Sequence, residues 1–134
     1  MRLIKKFLAP KEVKAALGIL DEASYKFDSE GFRLVRGYIE RMLFSQSHKY
    51  VDVIKKGMTP RQWVYVAIAN IAGNLVESGN YHIYRGVLNT LGPGPDLLKV
   101  FDSAIDELTQ ISALDAKDAK EQKATIRDNI KHVG

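Results

Sequence analysis

The chain has 134 residues, of which 46% are hydrophobic and 27% charged, a length and balance that predict one globular domain and exclude a mostly disordered chain. It has no cysteine, which removes disulfides, a thiolate nucleophile and cysteine-based zinc sites. The formal net charge of +4, with a pI of about 9.3, is compatible with RNA, DNA or another anionic partner, although many proteins without such partners are equally basic.

Taken in chain order, the first residues, Met1-Arg2-Leu3-Ile4-Lys5-Lys6-Phe7-Leu8, hold no long apolar stretch, so no signal peptide is expected. Pro10 predicts the first turn of a helix running to about Tyr25, with Val13, Leu17 and Leu20 on one face. Asp28 or Ser29 can cap a second helix, in which Phe32, Val35, Ile39 and Met42 follow at spacings of three and four. A break is expected between Ser45 and His48, then a short piece to Lys56 that Gly57 stops. Thr59-Pro60 predicts an N-cap and first-turn proline for the central buried helix, whose apolar face is Val64, Ile68, Ile71 and Leu75. Its period continues through Gly79, Ile83 and Val87, as one long helix with a bend at Ser78-Gly79. Gly92-Pro-Gly-Pro95 breaks the pattern, and Asp96 opens a helix with Leu97, Val100, Phe101, Ala104, Ile105 and Leu108 inward. The stretch 113–132 is charged and weakly amphipathic through Ala119, Ile126 and Ile130, as a peripheral helix is. No segment alternates as a strand would, so the expectation is a single all-α domain over 1–134, with its core over 11–110. No apolar run approaches the roughly 18 residues of a membrane span, and a cytoplasmic, membrane-free protein is expected.

One polar row stands out. Asn70, Asn74, Glu77, Tyr81 and Tyr84 are spaced four, three, four and three apart, which places them in line along one side of a helix that is otherwise apolar. Trp63 extends the row backward, and Ser78, His82, Arg85 and Asn89 form a second row beside it. Asparagine is a poor helix former, and solvent faces more often carry Lys and Glu. Three readings remain open: a solvent face, a subunit interface whose asparagines set register, and an oxygen-rich row lining a cleft for a cation or a nucleic-acid backbone.

The stretch Asn74-Leu-Val-Glu77-Ser78, with Gly79, Tyr81 and Tyr84 after it, resembles the second signature of the ribonuclease III catalytic domain, approximately D-x-x-E-A-L-I-G-A-I-Y-L. The motif's Asp is Asn74 here. The first signature, E-x-x-E-F-L-G-D, is matched against Glu30-Gly-Phe-Arg33-Leu-Val-Arg36-Gly37-Tyr38. Aligning Gly37 puts its acids on Gly31, Leu34 and Tyr38, and aligning Glu30 puts the other two on Arg33 and Gly37. The resemblance spans about residues 11–110 and implies an all-helical ribonuclease III endonuclease-like fold without a double-stranded RNA-binding domain. It further implies a homodimer, double-stranded or structured RNA as partner, and Mg²⁺ held by carboxylates that activates water on a phosphodiester. Carried over residue by residue, the catalytic and metal positions are Glu77 and Asn74, with Glu30 and Glu40 as further carboxylates.

Other chemistry is sparse. His48, His82 and His132 show no H-x-x-x-H spacing, and no phosphate-binding glycine motif occurs. Arg33, Arg36, Lys49, Lys55 and Lys56 make the second helix and its extension basic; with His82 and Arg85, Arg33 and Arg36 are the candidate phosphate contacts. Arg36 and Glu40 also stand at i, i+4, the spacing of an ordinary helical ion pair. The expected function is a divergent ribonuclease III-like domain that binds or processes RNA, either as a weak Mg²⁺-dependent endoribonuclease or as a binder without catalysis. The alternative is a non-catalytic helical homodimeric interaction protein.

Overall fold

The computed structural model describes residues 10–77 and 95–133, with side chains over 10–76 and 97–128. Among the described residues there are six α-helices and no strand: α1 Lys11–Phe27, α2 Glu30–Ser45, α3 Ser47–Lys55, α4 Pro60–Glu77, α5 Pro95–Gln110 and α6 Ala116–Val133. The all-α expectation holds. None of these helices is long and apolar enough to cross a membrane.

The helix ends follow from their capping residues. α1 runs two residues past Tyr25 and stops at Asp28, whose left-handed backbone (φ 35°) lets its N–H donate to Ser24 O. Ser29 then caps α2, its Oγ accepting from Phe32 N at 3.1 Å. The break falls at Gln46, inside the expected window. Gly57 ends α3's run at φ 117°, a conformation that favours glycine. Thr59 and Gln62 close a reciprocal capping box before α4, with Gln62 N donating to Thr59 Oγ1 and Thr59 N to Gln62 Oε1, both at 3.1 Å. Asp115 Oδ1 accepts from Lys117 N at 2.8 Å and caps α6.

α4 is the centre of the fold. It packs most extensively on α5 and also touches α1, α2 and α6. Val64, Ile68, Ala72, Leu75 and Val76 on α4 are buried against Leu20 and Ala23 of α1, Phe32 and Ile39 of α2, and the expected inward series of α5. The α2 seam departs from expectation at its end. Met42 is 38% exposed, and Leu43 is fully buried in its place. From Ile39 the seam steps by four, because the 3.6-residue turn carries position 42 away from α4 and α5. Among its described side chains, α6 buries only Ala119 and Ile126, one heptad apart, and it is tied to α5 by Arg127–Asp102 at 2.7 Å and by Lys123–Asp106. Its other described side chains are exposed or half-buried. The continuation of α4 through Val87, the bend at Ser78-Gly79 and the Gly92–Pro95 break lie outside the described residues.

Candidate functional site

The polar row divides along α4. Trp63 is not part of a polar surface: it is half-buried and meets Tyr50 of α3 edge-on, with ring centroids 4.7 Å apart. Asn70 and Asn74 are exposed and share one wall of a groove of about 440 Å³ between α4 and α6. The opposite wall carries Asp118, Glu121, Gln122 and Thr125; the floor is Ala69, Gly73, Phe101 and Ile126. Gly73 lets the Phe101 ring pack closely against α4. A Cβ there would sit 3.0 Å from Phe101 Cε2, so a side chain at this position would push the ring back by a few tenths of an ångström. The sequence aligned the two asparagines correctly, but nothing in its periodicity says that α6 supplies the facing wall. The side chain of Glu77, and Tyr81, His82, Tyr84 and Arg85, lie outside the described residues.

The groove's polar groups are unoccupied by the rest of the described chain. Asn70, Asn74, Asp118, Glu121 and Gln122 make no side-chain hydrogen bond or ion pair among the described residues, and Thr125 bonds back to Glu121 O at 3.0 Å. Among the described residues two carboxylates and no cation line the space, a local charge that repels phosphate.

The α2 candidates sit elsewhere and are already paired. Glu30 Oε1 accepts from Arg33 at 2.8 Å. Glu40 Oε1 accepts from Arg36 Nε at 2.7 Å, the i, i+4 pair foreseen. Arg36 reaches across to α1 as well, donating to Ser24 Oγ, to Asp21 and to Leu20 O. Partial burial pulls the Arg36 guanidinium down, but hydrogen bonds and charge from Glu40 and Asp21 outweigh it, and its pKa is raised. Arg36 thus clamps α2 to α1, whereas Arg33 stays largely exposed. Neither Glu30 nor Glu40 lines the groove that holds Asn74. Among the described residues, no three His, Asp or Glu side chains gather as ligands of a metal would. Glu77, the carboxylate that the ribonuclease III resemblance places beside Asn74, has its side chain outside the described residues.

A second surface lies at the far end of α2 and along α3. Arg41, Lys49, Lys55 and Lys56 are exposed and form no ion pair among the described residues. The Arg41 guanidinium stands 5.2 Å from the Tyr38 ring centroid, and Tyr38 is itself 38% exposed. α3 is fixed to α1 by Tyr50, whose buried hydroxyl donates to Glu12 O at 2.7 Å. Burial, helped by the Glu12 charge, pushes the Tyr50 pKa up to about 12. That contact brings the exposed Lys11 and Lys14 of α1 to the same end of the molecule, where Glu12 and Asp52 are the opposing carboxylates. The lysines were legible as a basic extension of the second helix. Arg41 was missed, although its position three residues after Tyr38 is the spacing that brings them together.

Lys26 and Arg61, by contrast, are held by carboxylates, whereas Lys99, Lys117 and Lys120 are exposed and unpaired among the described residues. Lys26 and Arg61 both donate to Glu107, at 2.6 and 3.2 Å, and Arg61 also reaches Glu22 at 2.8 Å. No family model, no curated protein and no solved structure matches this chain.

Proposed function

We propose that this protein is an RNA-binding helical domain that takes phosphate on the α2–α3 arm and does so without catalysis by the groove. The carrying observation is the contrast in pairing. Arg41, Lys49, Lys55 and Lys56 have no acidic partner among the described residues, while Lys26, Arg36, Arg61, Lys123 and Arg127 are each held by at least one carboxylate. A free, exposed ammonium gains a phosphate without first losing an ion pair, and counterions released from the nucleic acid drive the association. Tyr38, with its ring partly open beside Arg41, offers a stacking surface next to those charges. Structured RNA, with duplex backbone and unpaired bases, suits both features. The resemblance to the ribonuclease III catalytic domain supports the same partner, read as a binding form of that domain.

The test is fluorescence anisotropy with a labelled RNA hairpin across a salt series, on the full chain and on the Lys49→Ala/Lys55→Ala/Lys56→Ala variant. Affinity should fall linearly on a log–log scale, and the triple variant should lower the slope by about 2 to 3, one phosphate contact for each lysine. A wild-type chain that leaves the hairpin unbound, or a variant with an unchanged slope, overturns the proposal.

A further inference from the structure

The groove between α4 and α6 has a composition that suits neither phosphate nor an empty solvent face. Its far wall presents Asp118 and Glu121, three residues apart on one face of α6. Its near wall presents the amides of Asn70 and Asn74, one turn apart on α4. Between them lies an apolar floor, with the Phe101 ring seated against Gly73 and Ile126 beside it. Among the described residues, no cation neutralises this charge. Lys123 and Arg127 of α6 are drawn onto Asp106 and Asp102 of α5, and Lys117 and Lys120 are absent from the lining.

We propose that this groove binds an aliphatic polyamine. A linear alkylammonium matches the three layers in turn. Its methylene stem covers the Phe101–Ile126 floor, as lysine stems cover apolar surface in proteins. Its ammonium groups donate to the Asp118 and Glu121 carboxylates, and the oxygens of Asn70 and Asn74 accept from the other side. A divalent metal ion matches less well. Mg²⁺ requires a near-octahedral shell of oxygens and holds its waters, so an aromatic and aliphatic floor gives it nothing. The space of about 440 Å³ admits a flexible triamine, which has roughly ten heavy atoms and lies at the small end of pocket ligands. The site is separate from the α2–α3 arm, so it stands or falls independently of RNA binding.

Isothermal titration of the full chain with spermidine, in RNA-free buffer at fixed ionic strength, tests this. Wild type should show saturable binding. Asp118→Asn/Glu121→Gln should weaken it by about tenfold or more, since two charge-assisted hydrogen bonds become neutral ones. Both positions are exposed and unpaired, so circular dichroism should report an unchanged fold. Glu30→Gln, a carboxylate on α2 outside the groove, should leave affinity unchanged. No binding by wild type overturns the assignment, as does binding that the double variant retains. An equal loss in Glu30→Gln would mean diffuse charge attraction and would also overturn it. So would MgCl₂ that competes at the same concentration as spermidine, because the site would then recognise charge and not the alkyl stem.

Discussion

The two halves of α4 treat polar side chains in opposite ways. In the first half Thr59, Arg61 and Gln62 are each bonded to a partner. Thr59 and Gln62 cap each other's backbone, and Arg61 joins Glu22 of α1 to Glu107 of α5. Lys26 of α1 completes the same knot, and both cations lie within 6 Å of the buried Tyr65 ring, at 5.7 and 5.9 Å from its centroid. In the second half Asn70 and Asn74 face a groove and bond to nothing among the described residues. The difference has an energetic meaning. Removing a group from the first half strands its partners, and stranded partners are what make a polar substitution costly. Removing one from the second half strands nothing. Those side chains have no structural occupation, which is the condition of a recognition surface.

The sharpest way to break the first half is Glu107→Ala. The Glu107 side chain is only 11% exposed and accepts from both Lys26 and Arg61. Those cations are 45% and 40% exposed, so they recover part of their hydration when the carboxylate goes. The expected cost is about 2 to 3 kcal/mol, more than an exposed ion pair gives and less than a fully buried one. Urea unfolding measures it. A loss under about 0.5 kcal/mol would place the knot among ordinary surface pairs.

Tyr50→Phe probes the anchor that holds α3 to α1 and to Trp63. Near neutral pH it should cost about 1 kcal/mol, one buried hydroxyl-to-carbonyl bond. Alkaline pH changes the sign. With the folded pKa raised to about 12, the hydroxyl stays protonated in the fold where the unfolded chain, at about 10, has ionised. Tyr50's contribution is complete below about pH 10 and is lost as the pH rises towards 12. Every other titrating group is common to both proteins, so their difference isolates this one. The wild-type advantage should shrink above about pH 10 and reverse before about pH 12, and parallel curves would mean that Tyr50 ionises as freely in the fold as in the unfolded chain.

How much of this was legible follows from the range of each interaction. Caps and seams are local, so Ser29, Thr59-Pro60 and the α5 series could be read from spacing alone. Met42 failed because spacings of three and four both satisfy a helical face, and only the position of α4 and α5 selects Leu43. Arg36–Glu40 was visible at i, i+4, but the reach of Arg36 to Asp21 depends on how α1 and α2 cross. The Arg61–Glu107 pair, 46 residues apart, has no periodic signal at all. The groove shows the same limit: Asn70 and Asn74 were aligned by their own helix, whereas Asp118 and Glu121 joined them through tertiary packing.

The smallest expected effect is also the most discriminating for the second half. Alanine is a better helix former than asparagine, by about 0.5 kcal/mol at a solvent-facing position. If Asn70 and Asn74 hold nothing together, Asn70→Ala/Asn74→Ala should therefore raise stability, by about 1 kcal/mol for the pair if the sites act independently. If either amide supported the fold, the sign would invert, because a lost hydrogen bond costs about 1 kcal/mol and exceeds the propensity gain. Thermal unfolding of the double variant decides between the two signs. An increase in Tm together with weaker spermidine binding would show that these asparagines were kept for a ligand at the expense of stability, as residues at binding sites commonly are. A decrease in Tm would return the row to the fold's own scaffolding and erase the contrast between the two halves of α4.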